Sequence, residues 1–239
     1  MASISVALLA YKEAENLKVL LPEVKKQLES IVDDFEIIVV DSKEPLDNTR
    51  EICESNGAKY INQHNVGFGD AFKTAIQNAK KSLFLTLDSD CSHNPIYIPN
   101  IYKKFFDDNC DVVIGSRYVK GGKNFDRKSS VIMSRILNLV FRVALGIKAN
   151  EISTNYRLYH TNDLKSIELK NNSFDILQEV LLKLKIYKPN LIIGEVPITF
   201  TKRAYGKSKR RLMILIMQYI KSLFKLTSLR ISTIFYNKK

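Results

Sequence analysis

The chain has 239 residues, of which 45% are hydrophobic and 26% are charged. This composition is typical of a folded protein and excludes a disordered chain, and the length allows one large α/β domain or two small ones. The three cysteines (Cys53, Cys91 and Cys110) are scattered, which argues against structural zinc and favours a reducing compartment. Because no basic segment precedes the first apolar run, we expect no signal peptide and a cytoplasmic protein.

Apolar segments and amphipathic segments alternate along the first half of the chain. The predicted strands are residues 4–9, 35–40, 58–61, 82–87 and 111–115, and the predicted helices are residues 17–28, 47–55, 68–80 and 96–106. Pro22 must either kink the first helix or mark its true start. This alternation predicts an α/β fold with a mostly parallel sheet and helices on both faces.

Two aspartates, Asp88 and Asp90, directly follow the strand predicted at residues 82–87. Side chains two apart on a strand point the same way, so these carboxylates can converge on a hard divalent cation that bridges phosphates. The alternative is a simple turn or helix cap. Glu13 and Asp41 also follow predicted strands, at the edge where parallel α/β sheets bind ligands, and this favours a ligand site.

The net charge of +12 is concentrated towards the end of the chain, with no acidic residue after Glu195. Residues 212–226 would form a helix of only about 22 Å, shorter than a bilayer core of about 30 Å. Lys221 and Lys225 interrupt any longer span. We therefore expect an amphipathic C-terminal helix on an anionic membrane surface. The alternative is packing on its own domain or on a second subunit, as in a homo-oligomer.

Seven short segments are informative as an ordered set. They are residues 10–16 (AYKEAEN), 39–41 (VVD), 88–90 (DSD), 115–122 (GSRYVKGG), 154–159 (TNYRLY), 193–200 (IGEVPITF) and 203–209 (RAYGKSK). This set resembles the family 2 glycosyltransferases of the GT-A (Rossmann-like) fold, and its later members resemble the dolichol-phosphate mannose synthase branch. The resemblance runs from about residue 3 to about residue 210. We therefore divide the chain into a GT-A domain (1–210) and a basic amphipathic segment (211–239).

The resemblance implies roles for individual residues. Positions matching those that bind the base, ribose and phosphates of the sugar nucleotide are Leu9, Tyr11, Glu13, Val39, Asp41, Asp88, Ser89 and Lys209. Asp88 and Asp90 match the site for Mg²⁺ or Mn²⁺, with Asp90 the direct ligand and Ser92 in place of a glutamine. Asp90, Arg117 and Arg203 match catalytic positions, since the two arginines would meet phosphates. Asn155 replaces a glycine.

The implied reaction is a metal-dependent, inverting transfer of a sugar from a nucleotide, with GDP-mannose the first candidate, to a polyprenyl phosphate at the cytoplasmic membrane face. Such an acceptor is already ionised, so positioned cations can replace the general base that a hydroxyl acceptor needs. The carboxylates after residue 115 offer no obvious general base, with one exception. Glu151 could act as a base, or it could orient Arg157. We expect His93 to be a structural residue of the turn after Asp90.

Two alternatives remain. A family 2 enzyme that adds a sugar to a glycan hydroxyl often carries a Gln-x-x-Arg-Trp motif, and this chain contains no tryptophan. A non-enzymatic basic module for membranes or nucleic acid would explain the basic tail but not the acidic strand ends. We therefore expect no nucleic-acid partner.

Overall fold

The computed structural model describes residues 2–201 and 212–236, and the side chains of residues 212–216 and 236 lie outside the description. Arg203, Lys209 and the boundary placed between residues 210 and 211 therefore lie outside the described residues. In the described part, strands and helices alternate as the sequence predicts.

The strands are β1 (Ile4–Leu9), β2 (Phe35–Asp41), β3 (Lys59–Asn62), β4 (Leu83–Asp88), β5 (Val112–Ser116), β6 (Lys123–Asn124), β7 (Arg157–His160), β8 (Ile193–Pro197) and β9 (Thr199–Phe200). The helices are α1 (Ala14–Glu29), α2 (Thr49–Ser55), α3 (Phe68–Asn78), α4 (Ile98–Asp107), α5 (Lys128–Leu145), α6 (Thr161–Lys165), α7 (Ile176–Tyr187) and α8 (Leu212–Tyr236).

In the part of the chain that the structure describes, seven strands form the central sheet in the order β3-β2-β1-β4-β7-β5-β8. All neighbours are parallel except β7, which runs antiparallel between β4 and β5. The predicted α/β fold with a mostly parallel sheet is therefore confirmed, with one reversed strand that the sequence did not indicate. Leu9 pairs with both Val40 and Asp88, so β1, β2 and β4 end at the same edge.

Apolar side chains cover both faces of this sheet. Because side chains alternate along a strand, Val6 and Leu8 of β1 enter one core with α1, α2 and α4, whereas Ala7 enters the other with α3, α5 and α7. Leu226 of α8 is buried in this second core. Burial on both faces explains why the strands read as nearly continuous apolar runs.

Helix α1 begins at Ala14 and continues through Pro22. The possibility that Pro22 marks the start of the helix is therefore wrong. The missing N–H of proline removes one internal hydrogen bond. Buried leucines on the same helix, including Leu17, Leu20 and Leu28, compensate for that loss by packing on the sheet.

Helix α8 is longer than the predicted 15-residue segment and packs against α5 and α7. The Arg230 guanidinium donates to the carbonyl oxygens of Val143 and Ala144, at 3.1 and 2.7 Å, in the last turn of α5. One face of the helix therefore packs on its own domain, as the alternative interpretation expected. Within the described ranges, no helix is both long and apolar enough to cross a membrane.

Candidate active site

Three strands deliver polar groups to one edge of the sheet. The Ser89 hydroxyl donates to the Leu9 carbonyl at 2.9 Å, and the Ala10 N–H donates to the Val40 carbonyl at 2.8 Å. These bonds hold the ends of β1, β2 and β4 side by side. The structure therefore brings Asp41 and Asp88 to one edge, as the strand-end pattern predicts, and places Leu9 and Ser89, which the resemblance implied, beside them.

Asp41 lies at the end of β2 and is fully buried. Its Oδ1 accepts from the Ser42 N–H at 2.8 Å, and its Oδ2 accepts from the Tyr60 hydroxyl at 3.0 Å. Burial raises the pKa of Asp41, although these two bonds oppose the shift. Burial also raises the pKa of Tyr60 to about 12, so this hydroxyl keeps its proton at neutral pH.

The remaining residues predicted to bind the base and ribose differ in the solvent exposure of their side chains. Tyr11 is 50% exposed beside the strand ends, and Glu13, which precedes α1, is largely buried with its Oε2 accepting from Asn16 Nδ2 at 2.6 Å. Val39 is fully buried within the core. Sequence reasoning missed Asp47, whose Oδ2 accepts from the first N–H of α1 at 3.1 Å and so fixes the start of that helix.

The turn after β4 carries the predicted metal ligands. Asp90 is 7% exposed, and its Oδ1 accepts from the Ser92 N–H at 3.0 Å and from the Ser92 hydroxyl at 2.5 Å. Cys91 between them has a left-handed backbone (φ 62°), which closes this turn. Asp88 Oδ1 accepts from Asn155 Nδ2 at 3.3 Å. The Ser92 hydroxyl thus directs its proton towards Asp90 and holds that carboxylate in place.

His93 is buried directly behind this turn. Its Nδ1 accepts from the Asp88 N–H at 3.0 Å, and its Nε2 lies 3.2 Å from the Thr154 hydroxyl. Burial lowers the pKa of His93, although the nearby Asp88 and Asp90 carboxylates oppose the shift. An Nδ1 that accepts a hydrogen bond is unprotonated, so the ring is neutral and the 3.6 Å approach to Asp88 Oδ2 is not an ion pair.

Arg117, just after β5, forms a buried ion pair with Glu151. Its Nε lies 3.0 Å from both carboxylate oxygens, its Nη2 contacts Oε1, and its backbone N–H donates to Oε2 at 2.8 Å. The Glu151 side chain is fully buried. Burial disfavours the charged form of Arg117. The negative charge and the hydrogen bonds of Glu151 together have the larger effect, so the pKa of Arg117 is raised. A carboxylate enclosed in this way is a poor candidate for a general base.

Arg157 does not pair with Glu151, so the expectation that Glu151 orients it is wrong. Its Nη2 donates to the Ile152 carbonyl at 2.7 Å, and its Nη1 donates to the Leu177 carbonyl at 2.8 Å. The arginine is fully buried. It therefore joins β7 to α7 as a structural residue.

A second group of potential metal ligands lies at the opposite edge of the sheet. Ligand atoms of Asp111, His160 and Asp163 all lie within 4.8 Å of one another. The Lys188 ammonium lies 2.9 Å from Asp111 Oδ1 and 2.6 Å from Asp163 Oδ2. Because a lysine already supplies the positive charge there, the carboxyl ends of the parallel strands remain the better location for a cation.

Replacing Glu151 with glutamine tests the buried pair. Glu151→Gln leaves the Arg117 cation without its counter-charge, so the free energy of unfolding should fall by about 3 kcal/mol or more. Glu168→Gln removes a pair with Lys170 in which the Glu168 side chain is 77% exposed, and should cost under about 1 kcal/mol. Urea denaturation at pH 7 measures both. Equal losses in the two variants would show that Glu151 is not a structural counter-ion.

The neutral state of His93 predicts a pH dependence. Its folded-state pKa lies below its ordinary value of about 6.5, so the unfolded chain binds the proton first and stability should fall as the pH drops below about 6.5. The slope from this group is at most about 1.4 kcal/mol per pH unit. His93→Asn should remove it, whereas His64→Gln, at an exposed position, should not. Urea midpoints between pH 5 and 7.5 measure the difference, and identical slopes in both variants would contradict it.

The family model for glycosyl transferase family 2 matches residues 5–168. Dolichol-phosphate mannosyltransferase of Pyrococcus furiosus is 32% identical over 93% of this chain, and the chain spans 63% of the length of that relative. Undecaprenyl-phosphate mannosyltransferase of Micrococcus luteus is 29% identical over 83% of this chain and 84% of its own length.

Among solved structures, glucosyl-3-phosphoglycerate synthase of Mycobacterium tuberculosis, crystallised with Mn²⁺, UDP and phosphoglyceric acid, superposes with a TM-score of 0.72 at 19% identity. The match covers 95% of this chain and 78% of that one. The same enzyme has been crystallised with Mg²⁺ and UDP. At this identity the similarity shows the GT-A fold alone. The family model and the curated relatives confirm the resemblance seen in the sequence, and the chain belongs to glycosyl transferase family 2.

Proposed function

We propose that the chain catalyses a metal-dependent, inverting transfer of a sugar from a nucleotide to a polyprenyl phosphate. The observation that carries the proposal is the meeting of Asp41, Asp88 and Asp90 at one sheet edge, with Arg117 following β5 in the same sheet. Both curated relatives are named for mannosyl transfer involving a polyprenyl phosphate. GDP-mannose is accordingly the donor that we propose.

The residues around Asp88 fit a hard cation. Asp88 and Asp90 offer carboxylate oxygens, the ligand type that Mg²⁺ and Mn²⁺ favour. Asn155 Oδ1 is buried in the same region and has no hydrogen-bond partner among the described residues, which leaves a further oxygen near Asp88. When bound, the ion would offset the charge that develops on the departing nucleoside diphosphate. We assign Ser92 to orienting Asp90, and the lone pairs of its hydroxyl oxygen leave it able to contact the metal as well.

The donor nucleoside would lie over the ends of β1 and β2. Leu9, Glu13 and Asp41 surround that position, and Tyr11 is exposed enough for its ring to stack on a base. Asp41 already accepts hydrogen bonds from three donor groups of Ser42 and Tyr60. We therefore assign it to holding the pocket wall as well as to accepting from the ligand. Val39 would support the pocket only through the sheet, because its side chain is in the core.

The acceptor phosphate would meet the basic groups after β5. Within the described residues, Arg117 uses Nε and Nη2 to bind Glu151 and Ser153, while Nη1 is not used in these bonds. Its guanidinium carbon lies 4.9 Å from the centre of the Phe200 ring, which further fixes its direction. Arg203 and Lys209 remain proposed partners of the phosphates. Since the acceptor is already an anion, the transfer needs positioning and no general base.

Two adjacent helices carry exposed apolar stripes. Among the described side chains, the exposed apolar residues of α5 are Ile132, Met133, Ile136, Leu139, Val140 and Val143, and those of α8 are Met217, Ile220, Phe224, Leu229, Ile231, Ile234 and Phe235. Their spacing is helical, and the two helices pack on each other. We propose that this surface, called the α5–α8 surface below, lies on an anionic membrane at its cytoplasmic face, where a lipid acceptor is found.

Product formation tests the transfer. Purified chain with labelled GDP-mannose, Mn²⁺ or Mg²⁺ and undecaprenyl phosphate should yield a lipid-extractable product. Asp90→Asn should lower the rate at least about a hundredfold, because it removes a proposed direct ligand of the metal and not merely a residue that orients such a ligand. The control Asp107→Asn changes an exposed carboxylate on α4 and should have no effect.

If GDP-mannose and other sugar nucleotides all fail to give product with either metal, the proposal is wrong. A labelled product that stays in the aqueous phase with a glycan acceptor would instead support the hydroxyl-acceptor alternative.

Vesicle sedimentation tests the membrane surface. The double variant Ile136→Ser/Phe224→Ser removes one side chain from each stripe and should lower the partition coefficient on anionic vesicles about tenfold or more, given the apolar area withdrawn. Val19→Ser, at a similarly exposed position on α1, should not. Unchanged partition together with loss of a dimer in size-exclusion chromatography would assign this surface to a second subunit.

A further inference from the structure

A pocket of about 280 Å³ opens beside α5, which supplies four of its six lining residues. Its lining consists of Tyr118, Arg135, Asn138, Leu139, Arg142 and Asn150. The pocket wall is held by Asn138, whose Oδ1 accepts from the Ile152 N–H at 2.8 Å and whose Nδ2 donates to the Ser153 hydroxyl at 3.3 Å. None of the lining residues is among those assigned above to donor, metal or acceptor.

The pocket is positively charged. Arg135 and Arg142 are seven residues apart on α5 and therefore point to the same side of the helix. Neither forms an ion pair with any residue that the structure describes. Two carboxylates adjoin the pocket residues: Glu151 is paired with Arg117, and Glu195 accepts from Asn150 at 2.7 and 2.9 Å, which leaves two arginines against one unpaired carboxylate.

Two polar atoms of the pocket residues lack partners. Arg142 Nε and the Tyr118 hydroxyl are both buried and make no hydrogen bond within the described part of the chain. Buried donors are normally satisfied, so an unpaired pair in a cationic pocket indicates a missing acceptor. A phosphate group offers several oxygen acceptors. The planar fork of arginine can bind two of them at once, which the point charge of a lysine cannot do.

The surroundings of the pocket indicate where such a phosphate comes from. Leu139 lines the pocket and is also 58% exposed as part of the apolar stripe of α5. We propose that the pocket binds the phosphate of an anionic phospholipid whose acyl chains lie along the α5–α8 surface. This lipid would be distinct from the acceptor. The inference rests on the proposed membrane contact and not on the transfer reaction.

Two kinds of phosphatidylcholine vesicle with matched surface potential at pH 8 provide the test. One contains phosphatidylglycerol and the other contains cholesteryl hemisuccinate, a carboxylate. The unaltered chain should prefer the phosphate vesicles about tenfold. Arg142→Gln and Arg142→Lys should both abolish this preference, because lysine keeps the charge but loses the fork. Lys128→Gln, an exposed position on the same helix, should weaken binding to both vesicles equally and keep the ratio.

Each other result overturns the inference. If the unaltered chain bound both vesicles equally, diffuse electrostatic attraction would explain the binding and no phosphate site would be needed. The same would follow if Arg142→Lys kept the preference for phosphate vesicles. Soluble glycerol 3-phosphate that binds as tightly as the vesicles would assign the pocket to a free phosphate compound. Failure of the membrane proposal is distinguishable, since binding to both vesicles would then be absent, and transfer to a detergent-solubilised acceptor is measured separately.

Discussion

The buried, neutral imidazole of His93 is the connection on which the site depends. One nitrogen accepts from the Asp88 backbone at the end of β4, and the other meets Thr154 in the segment before β7. The ring also packs against Tyr156 and Phe200, with centroids 5.1 and 5.2 Å away. The turn that carries the aspartates is thereby fixed to the half of the sheet that carries the arginines. A charged ring could not accept the Asp88 N–H, so this connection requires that His93 remain neutral.

Opposite charges are separated across the sheet edge by β7. Carboxylates follow β2 and β4, whereas Arg117 follows β5 and α5 contributes Arg135 and Arg142. Such a division suits the proposed reaction, in which a cation and a nucleotide occupy one side and an anionic lipid approaches from the other. Glu151 lies on the basic side, and its buried pair with Arg117 leaves Arg135 and Arg142 as the positive charges there that have no ion-pair partner among the described residues. The exposed apolar stripes of α5 and α8 adjoin the basic side, so the proposed lipid contact and the proposed phosphate contact would share one surface.

The sequence was sufficient for strands β1 to β5 and for the carboxylates at their ends, because buried parallel strands are continuous apolar runs and their termini share an edge. It could not indicate β7, a four-residue strand that opens with the buried Arg157 and gains its stability from two neighbours distant in sequence. It also could not pair Arg117 with Glu151, 34 positions later, since nothing local encodes that contact. The outward apolar face of α5 is equally hidden, because helical periodicity does not say which side faces the core.

Manganese binding followed by electron paramagnetic resonance tests the placement of the site most directly. Free Mn²⁺ should fall when GDP is added to the unaltered chain, and both Asp88→Asn and Asp90→Asn should abolish that effect. Asp163→Asn, in the group bound by Lys188 at the other edge, should leave it intact. Nucleotide-dependent Mn²⁺ binding that survives in Asp90→Asn but is lost in Asp163→Asn would contradict a site at the carboxyl ends of the parallel strands.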